Sequence, residues 1–165
     1  MMNYRDLVRN CLSDTVKEIM PWDLVARMEQ NPDLFILDVR EPYEFDALHI
    51  KGSINVPRGI LEAACEWDYE DTVPVLVNAR NREIVVVCRS GNRSVLAVHT
   101  MQLLGYQHTI SLRTGLRGWN DYEESLWSSA GVMVEPAEAD DYFTVKLRSD
   151  QKAPKSRKDS SDEKV

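Results

Sequence analysis

Cysteine is scarce in this 165-residue chain, which holds only Cys11, Cys65 and Cys88. The number is odd and the spacings are wide, so the pattern indicates neither a disulfide framework nor a zinc site. We therefore predict no metal and no cofactor. Few unpaired cysteines are also typical of a reducing compartment, and a cytoplasmic protein is the simplest expectation.

The chain also lacks an excess of positive charge and a long apolar run. The formal net charge is −7, which argues against nucleic acid as a main partner. No segment is long and apolar enough to span a bilayer, and charged residues interrupt the first twenty positions, so we expect neither a membrane anchor nor a signal peptide. The composition leaves the oligomeric state open.

The most informative stretch is Ile84–Gly105. Its first four residues are apolar and β-branched, which predicts a strand buried on both faces. Asn92–Gly105 has the apolar spacing of a helix that stops at a glycine. At the start of such a helix the backbone N–H groups converge, and the helix dipole adds about half a positive charge. We therefore predict an anion cradle with the thiol of Cys88 at its centre.

The residues around this cysteine favour a reactive thiol. Gly91 lets the backbone curl, while Arg89 and Arg93 add positive charge that favours the thiolate. A buried structural cysteine is the alternative, because free cysteines are often buried. That alternative leaves two arginines and a glycine within five positions unexplained. We predict Cys88 as the nucleophile, with substrate held by Arg89, Ser90, Gly91, Asn92, Arg93 and Ser94.

Strands alternate with helices along the rest of the chain, which predicts a parallel α/β sheet covered on both faces. The predicted strands are 17–20, 34–39, 53–56, 84–87 and 109–112, and the predicted helices are 4–12, 21–30, 41–48, 59–67, 92–105 and 115–128. Residues 68–82 have little periodicity and are predicted to form a long connection. Ligands on such sheets bind beyond the carboxyl ends of the strands, where Cys88, Asp38 and Arg40 all lie.

Composition divides the chain into three parts. Residues 1–20 are predicted as a helical extension, 21–134 as the domain, and 135–165 as a C-terminal extension that is disordered from about 149. The end of the chain is rich in Lys, Ser and Asp and cannot bury enough surface to offset its ordering entropy. Its basic run, Lys155 to Lys158, is expected to be solvated.

Four motifs resemble those of the single-domain rhodaneses, a sulfurtransferase family. They are Leu37 to Phe45, His49 to Pro57, Cys88 to Ser94, and Gly115 to Trp119. The set is specific only when taken together, in this order and spacing. The chain departs from the family at Leu48 and Lys51, where glycine and proline are usual. It also departs in a longer 59–82 connection, which could form one wall of the site.

The resemblance implies a five-stranded parallel sheet and a ping-pong reaction. A donor such as thiosulfate would load sulfane sulfur onto Cys88 as a persulfide, and cyanide, a thiol or a protein would accept it. Arg89 would meet an oxyanion at the mouth of the site, and Arg93 would brace the loop through Asp38 or Glu41. For Asp38 and Arg40, a direct substrate role and a buried ion pair are equally expected.

Three further functions compete with this one. A phosphatase similar to the dual-specificity cell-cycle enzymes would have five residues between cysteine and arginine, whereas four separate Cys88 from Arg93. The tighter ring fits a single sulfur atom better than a phosphoryl group. A protein-specific persulfide carrier and a non-catalytic binding module complete the set. Cys65 is expected to be a packed apolar residue, with a role as sulfur acceptor or disulfide partner of Cys88 as the competing hypothesis.

Overall fold

A five-stranded parallel sheet forms the centre of the protein, and the computed structural model describes residues 1–154. The strands are β1 (Glu18–Ile19), β2 (Phe35–Asp38), β3 (Ile54–Asn55), β4 (Ile84–Val87) and β5 (Thr109–Leu112). The strand order is β1-β5-β4-β2-β3, so β4 lies in the middle, paired with β2 and β5. This confirms the predicted fold class.

Helices cover both faces of the sheet. One face carries α1 (Tyr4–Asp14), α4 (Leu61–Ala64), α5 (Pro74–Val77) and α6 (Asn92–Leu103), and the other carries α2 (Pro21–Gln30), α7 (Gly115–Asp121) and α8 (Pro136–Phe143). A short helix, α3 (Pro42–Ala47), follows β2. The residues of β4 alternate between the two cores, because successive side chains of a strand point to opposite faces. Cys88 belongs to the core on the α6 face.

The last predicted helix is wrong beyond Asp121. Glu123 has a φ of 62°, a left-handed conformation that cannot continue a helix. The indole of Trp119 then donates a hydrogen bond to the Ser125 carbonyl at 3.1 Å. An antiparallel ribbon of β6 (Leu126–Trp127) and β7 (Met133–Val134) replaces the expected final turns.

The long connection is also more ordered than its sequence suggests. A 3₁₀ turn at Arg58–Ile60 precedes α4, and α5 lies within the stretch predicted to have no regular structure. Tyr106 donates a hydrogen bond to the carbonyl of Leu76 at 2.8 Å, and Arg80 donates one to the carbonyl of Leu104 at 3.2 Å. These contacts join the connection to the C-terminal end of α6 and the turn after it, away from the loop that follows β4.

The segments beyond the predicted domain contribute helices of their own. At the N-terminus, Asn3 and Asp6 form a reciprocal capping box that starts α1. At the C-terminus, α8 packs on α7 and buries Phe143. A 3₁₀ turn lies at Ser149–Gln151, where the onset of disorder is predicted. Residues 155–165, with the basic run, lie outside the described residues.

Candidate active site

The loop between β4 and α6 is shaped by a glycine. Gly91 has a φ of 96°, in the left-handed region that residues with a side chain rarely adopt, and it directly precedes α6. A Cβ at this position would lie 3.2 Å from the amide nitrogen of Thr114. This conformation turns the chain sharply enough for amides of the loop to point back at Cys88, the residue that follows β4.

The thiol of Cys88 receives two backbone hydrogen bonds. The amide of Gly91 lies 3.2 Å from Sγ and the amide of Ser94 lies 3.3 Å from it. The first amides of a helix have no acceptor within the helix, so those of Asn92 and Arg93 add to the positive potential here. The Cys88 residue is only 1% exposed. The predicted cradle therefore has its donors directed at sulfur.

Ser94 anchors this loop to the neighbouring strand β5. Its hydroxyl donates a hydrogen bond to the Gly91 carbonyl at 3.0 Å and pairs with the Ser111 hydroxyl at 2.8 Å. The same oxygen lies 3.4 Å from Sγ of Cys88 and can accept its proton. Both serines are completely buried, so this network fixes the loop to β5.

Helix α7 supports the loop from the other side. Its amides at Leu116 and Arg117 donate to the carbonyls of Cys88 and Arg89 at 2.8 and 3.0 Å. Gly115 begins this helix with a φ of 60°, and a Cβ there would overlap the Cys88 carbonyl oxygen. The glycine of the Gly115–Trp119 motif therefore permits a direct backbone contact between α7 and the cysteine.

Arg93 braces the loop through Glu44. Its guanidinium donates two hydrogen bonds to the carboxylate, at 2.7 and 2.9 Å. Burial alone would raise the pKa of Glu44, but the hydrogen bonds from Arg93 and the Glu41 backbone amide, with the nearby positive charges, hold that pKa below its usual value. The brace was predicted with Asp38 or Glu41, so its partner is corrected to Glu44. Pro42 begins α3, and Glu44 lies buried in the first turn of that helix.

Asp38 and Arg40 form a pair that is completely buried on both sides. Arg40 Nη2 lies 2.7 Å from the carboxylate and also donates to the Leu48 carbonyl at 2.6 Å. The side-chain amide of Asn55 donates to the backbone carbonyls of Asp38 and Arg40. This geometry is that of the ion pair at the strand end, one of the two roles predicted for these residues. The contact between Arg40 and Leu48 uses the Leu48 backbone carbonyl, so it does not depend on the Leu48 side chain.

Arg89 does not point freely at the mouth of the site. Its Nη2 donates a hydrogen bond to the Phe143 carbonyl at 2.7 Å, which ties the end of α8 to the loop. Ser90 and Asn92 are exposed on the surface of the loop. Of the predicted residues, Gly91 and Ser94 thus contact the thiol directly, whereas the side chains of Arg89 and Arg93 bind elsewhere. Sequence reasoning missed Glu44 and the Phe143 carbonyl.

The other two cysteines are buried away from such donors. Cys65 is 0% exposed, and burial raises the pKa of its thiol, which lies beside the Tyr106 hydroxyl. All three cysteines are free thiols. Among residues 1–154, no group of three or more His, Cys, Asp or Glu side chains could hold a metal ion. No helix in the same range is long and apolar enough to cross a membrane.

The chain is similar in sequence to known proteins. The model of a family described as Rhodanese-like domain matches residues 21–122. YrkF of Bacillus subtilis (strain 168), which is described as a candidate sulfur carrier protein, is 30% identical over 112 residues. That region makes up 68% of this chain and 55% of YrkF. Other curated relatives are named adenylyltransferase and sulfurtransferase, and the match covers 22% or 20% of their length.

Two solved structures share the fold. A protein of Rhodopseudomonas palustris, described as being of unknown function and a candidate tyrosine phosphatase, has a TM-score of 0.67 and 23% identity, covering 74% of this chain and 92% of its own. The human single-domain sulfurtransferase TSTD1 has a TM-score of 0.56 and 23% identity, covering 65% of this chain and 97% of its own. At these identities both structures show the fold alone.

Proposed function

The chain belongs to the rhodanese-like domain family, and on that premise we propose that it is a sulfurtransferase that carries sulfane sulfur as a persulfide on Cys88. The observation that carries the proposal is the pair of amide hydrogen bonds, from Gly91 and Ser94, to Sγ. Fixed N–H donors aimed at a sulfur atom stabilise negative charge on it without reorganising. A thiolate so stabilised is the nucleophile that thiol exchange requires.

The proposed reaction has two balanced steps. Sγ of Cys88 attacks the outer sulfur of thiosulfate, the bond between the two thiosulfate sulfurs breaks, and sulfite leaves with its electron pair. Cyanide or a thiolate then attacks the outer sulfur of the persulfide. The Sγ–S bond breaks with its electron pair returning to Sγ, and thiocyanate or a new persulfide leaves. The sequence needs no external oxidant or reductant.

The N–H groups of the loop would also hold the intermediate. A persulfide carries its charge on the outer sulfur, and in the proposed intermediate this atom would lie between Sγ and the start of α6. The helix dipole and the amides of Asn92 and Arg93 provide a positive potential in that direction. We propose that these amides bind the outer sulfur until the acceptor arrives.

A protein acceptor is the second candidate, and the depth of the thiol limits how such a protein could bind. Because Cys88 is 1% exposed, a protein could reach Sγ only with a narrow projecting segment. The relative described as a sulfur carrier protein supports the same interpretation. Under this proposal the chain carries sulfur between proteins and turns over small donors slowly.

A phosphatase fits the geometry less well. Both terminal nitrogens of Arg93 bind Glu44, so the guanidinium would have to leave a bidentate pair before it could bind phosphoryl oxygens. The spacing of four residues between Cys88 and Arg93 also makes a narrow ring. Both features favour a single sulfur atom as the bound group.

Intact mass spectrometry tests the proposal. The native protein, Cys88→Ser and Cys65→Ser are incubated separately with thiosulfate, inorganic polysulfide and glutathione persulfide. We expect a gain of one sulfur atom by the native protein and by Cys65→Ser, and none by Cys88→Ser. Full loading of Cys88→Ser would refute the proposal. Loading by glutathione persulfide but not by thiosulfate would favour the protein-carrier function.

A further inference from the structure

Helix α1 packs along α6, the helix that begins at the active-site loop. At their C-terminal ends the hydroxyl of Thr15 donates to the Gln102 side chain at 2.7 Å, and the Gln102 amide donates to the Thr15 carbonyl at 3.3 Å. Between the ends, Val8 and Cys11 are buried in the same apolar core as Cys88. The two helices therefore lie side by side with their C-termini together.

Their lengths bring their N-termini together as well. With 11 residues in α1 and 12 in α6, a rise of 1.5 Å per residue makes them about 16 and 18 Å long. Two helices of these lengths packed in parallel place the first residue of α1, Tyr4, toward the end of α6 at which Asn92 and Arg93 follow the loop. Tyr4 also lies one turn before Val8, on the face of α1 that contacts the core.

The charged groups that act on Tyr4 are those expected for a residue near the first turn of α6. Burial raises the pKa of the Tyr4 hydroxyl, the charge of Cys88 raises it further, and the charge of Arg93 acts in the opposite direction. The phenol is thus within electrostatic range of both the nucleophile and the brace. Since the net shift is upward from a value of 10.0, the hydroxyl keeps its proton at neutral pH and can donate a hydrogen bond.

We propose that Tyr4 is a specificity-determining residue of the Cys88 site, whose hydroxyl binds the anionic group of a reagent approaching Sγ. In the proposed sulfur transfer, on which this role rests, that group is the sulfonate of a thiosulfate-type donor. The guanidinium of Arg89 binds the Phe143 carbonyl, and that of Arg93 binds Glu44. Because both arginines are occupied in this way, the neutral Tyr4 hydroxyl is left to bind the anionic group. With 52% of the residue exposed, Tyr4 is accessible from solvent.

This role would come from outside the segment that matches the family. Tyr4 precedes residue 21, where that match begins. The loop around Cys88, which lies within the family match, would then owe its preference for anionic sulfur donors to the N-terminal extension. The proposal makes α1 part of the substrate-binding wall, in addition to a cover for the core.

Alkylation of Cys88 tests the proposal without requiring sulfur transfer. Rates are measured for iodoacetate, which carries a carboxylate, and for iodoacetamide, its neutral analogue, on native protein, Tyr4→Phe and the control Tyr69→Phe. We expect Tyr4→Phe to lower the ratio of iodoacetate to iodoacetamide rates by about tenfold or more, as for loss of one hydrogen bond to a charged group. Tyr69 is exposed in the connection before α5, and its variant should leave the ratio unchanged.

An unchanged ratio in Tyr4→Phe, or an equal drop in Tyr69→Phe, would overturn the role of Tyr4. Sulfur loading by thiosulfate, measured on the same proteins, separates this outcome from failure of the proposed function. If no sulfane donor loads Cys88 in the native protein, the sulfurtransferase proposal fails, and the alkylation ratio still decides whether Tyr4 directs anions to the thiol.

Discussion

Cys88 and Cys65 belong to the same apolar core and are almost equally buried, at 1% and 0% exposed. They differ in the polar atoms that reach their sulfurs. Cys88 receives two backbone amides and borders the first turn of α6, whereas Cys65 lies beside the Tyr106 hydroxyl and its pKa is raised by burial. Under the proposed function, burial by itself does not make a cysteine inert. What separates the two is a set of fixed donors.

The donors at Cys88 depend on backbone positions more than on side chains. Gly91 and Gly115 both have positive φ, and Gly115 allows α7 to bind the carbonyls of Cys88 and Arg89. Cys65 ends a four-residue helix with ordinary geometry and has no comparable loop. We therefore expect that a change that disturbs the loop lowers the reactivity of the Cys88 thiol toward that of Cys65.

The largest effect is expected from Gly115→Ala. The added Cβ would lie 2.5 Å from the Arg89 carbonyl carbon and closer still to the Cys88 carbonyl oxygen, so the backbone must move. We expect sulfur loading to fall at least about 100-fold and the protein to lose roughly 3 kcal/mol of stability from overpacking and strain. Mass spectrometry and urea unfolding measure the two quantities.

Gly131→Ala is the matched control for this change. Gly131 also has a positive φ, of 78°, but a Cβ there meets no atom within 4 Å. Its variant should lose about 1 kcal/mol from strain alone and keep full sulfur loading. Equal loss of loading in the two variants would show that contact with the loop is not the cause.

Glu44→Gln should have an intermediate effect by loosening the brace on α6. The pKa of Glu44 is lowered in the folded protein, so the pair contributes its full stability above the unfolded value of about 4.5 and loses it as the pH falls through the folded value. We expect a deficit of roughly 1–3 kcal/mol at pH 7, as for a charged hydrogen-bonded group.

The pH dependence provides the sharper test of that brace. Urea unfolding of the native protein and of Glu44→Gln should give a constant difference from pH 8 to about 5 and a shrinking one at lower pH. A difference that stays constant down to pH 3 would mean that the carboxylate charge is not what stabilises the loop.

The smallest effect on chemistry is expected from Cys65→Ala. The side chain is completely buried, so its removal should cost about 1 kcal/mol of stability, similar to the loss of a methylene group. Sulfur loading should stay within twofold of native. A tenfold loss of loading would instead support Cys65 as a partner of Cys88 in the transfer.

Much of this architecture is predictable from the sequence, because it depends on local patterns. The β-branched run Ile84–Val87 is buried on both faces as its composition predicts. The sequence of α2 also specifies its own boundaries, with Pro21 in its first turn and Asn31 after its last residue. Within the loop, the placement of Cys88, Gly91 and Ser94 follows from a strand that runs directly into a helix.

The errors arose where distant contacts decide the structure. The helix expected to reach residue 128 stops early because a left-handed Glu123 and the pairing of Trp127 with His49 outweigh its apolar spacing. The partner of Arg93 was misassigned because the orientation of α3, and not sequence distance, brings Glu44 to it. The Arg89–Phe143 contact joins positions 54 residues apart, and no local pattern reveals it.

The most direct test of the contrast between the two cysteines is a peptide-resolved alkylation rate. Folded native protein is labelled with iodoacetamide at pH 7, and the rates at Cys88 and Cys65 are normalised to those in denaturant. Because both residues are nearly inaccessible, a donor-based account predicts that Cys88 reacts at least about 100-fold faster than Cys65. Equal normalised rates would contradict it, since burial alone would then control both thiols.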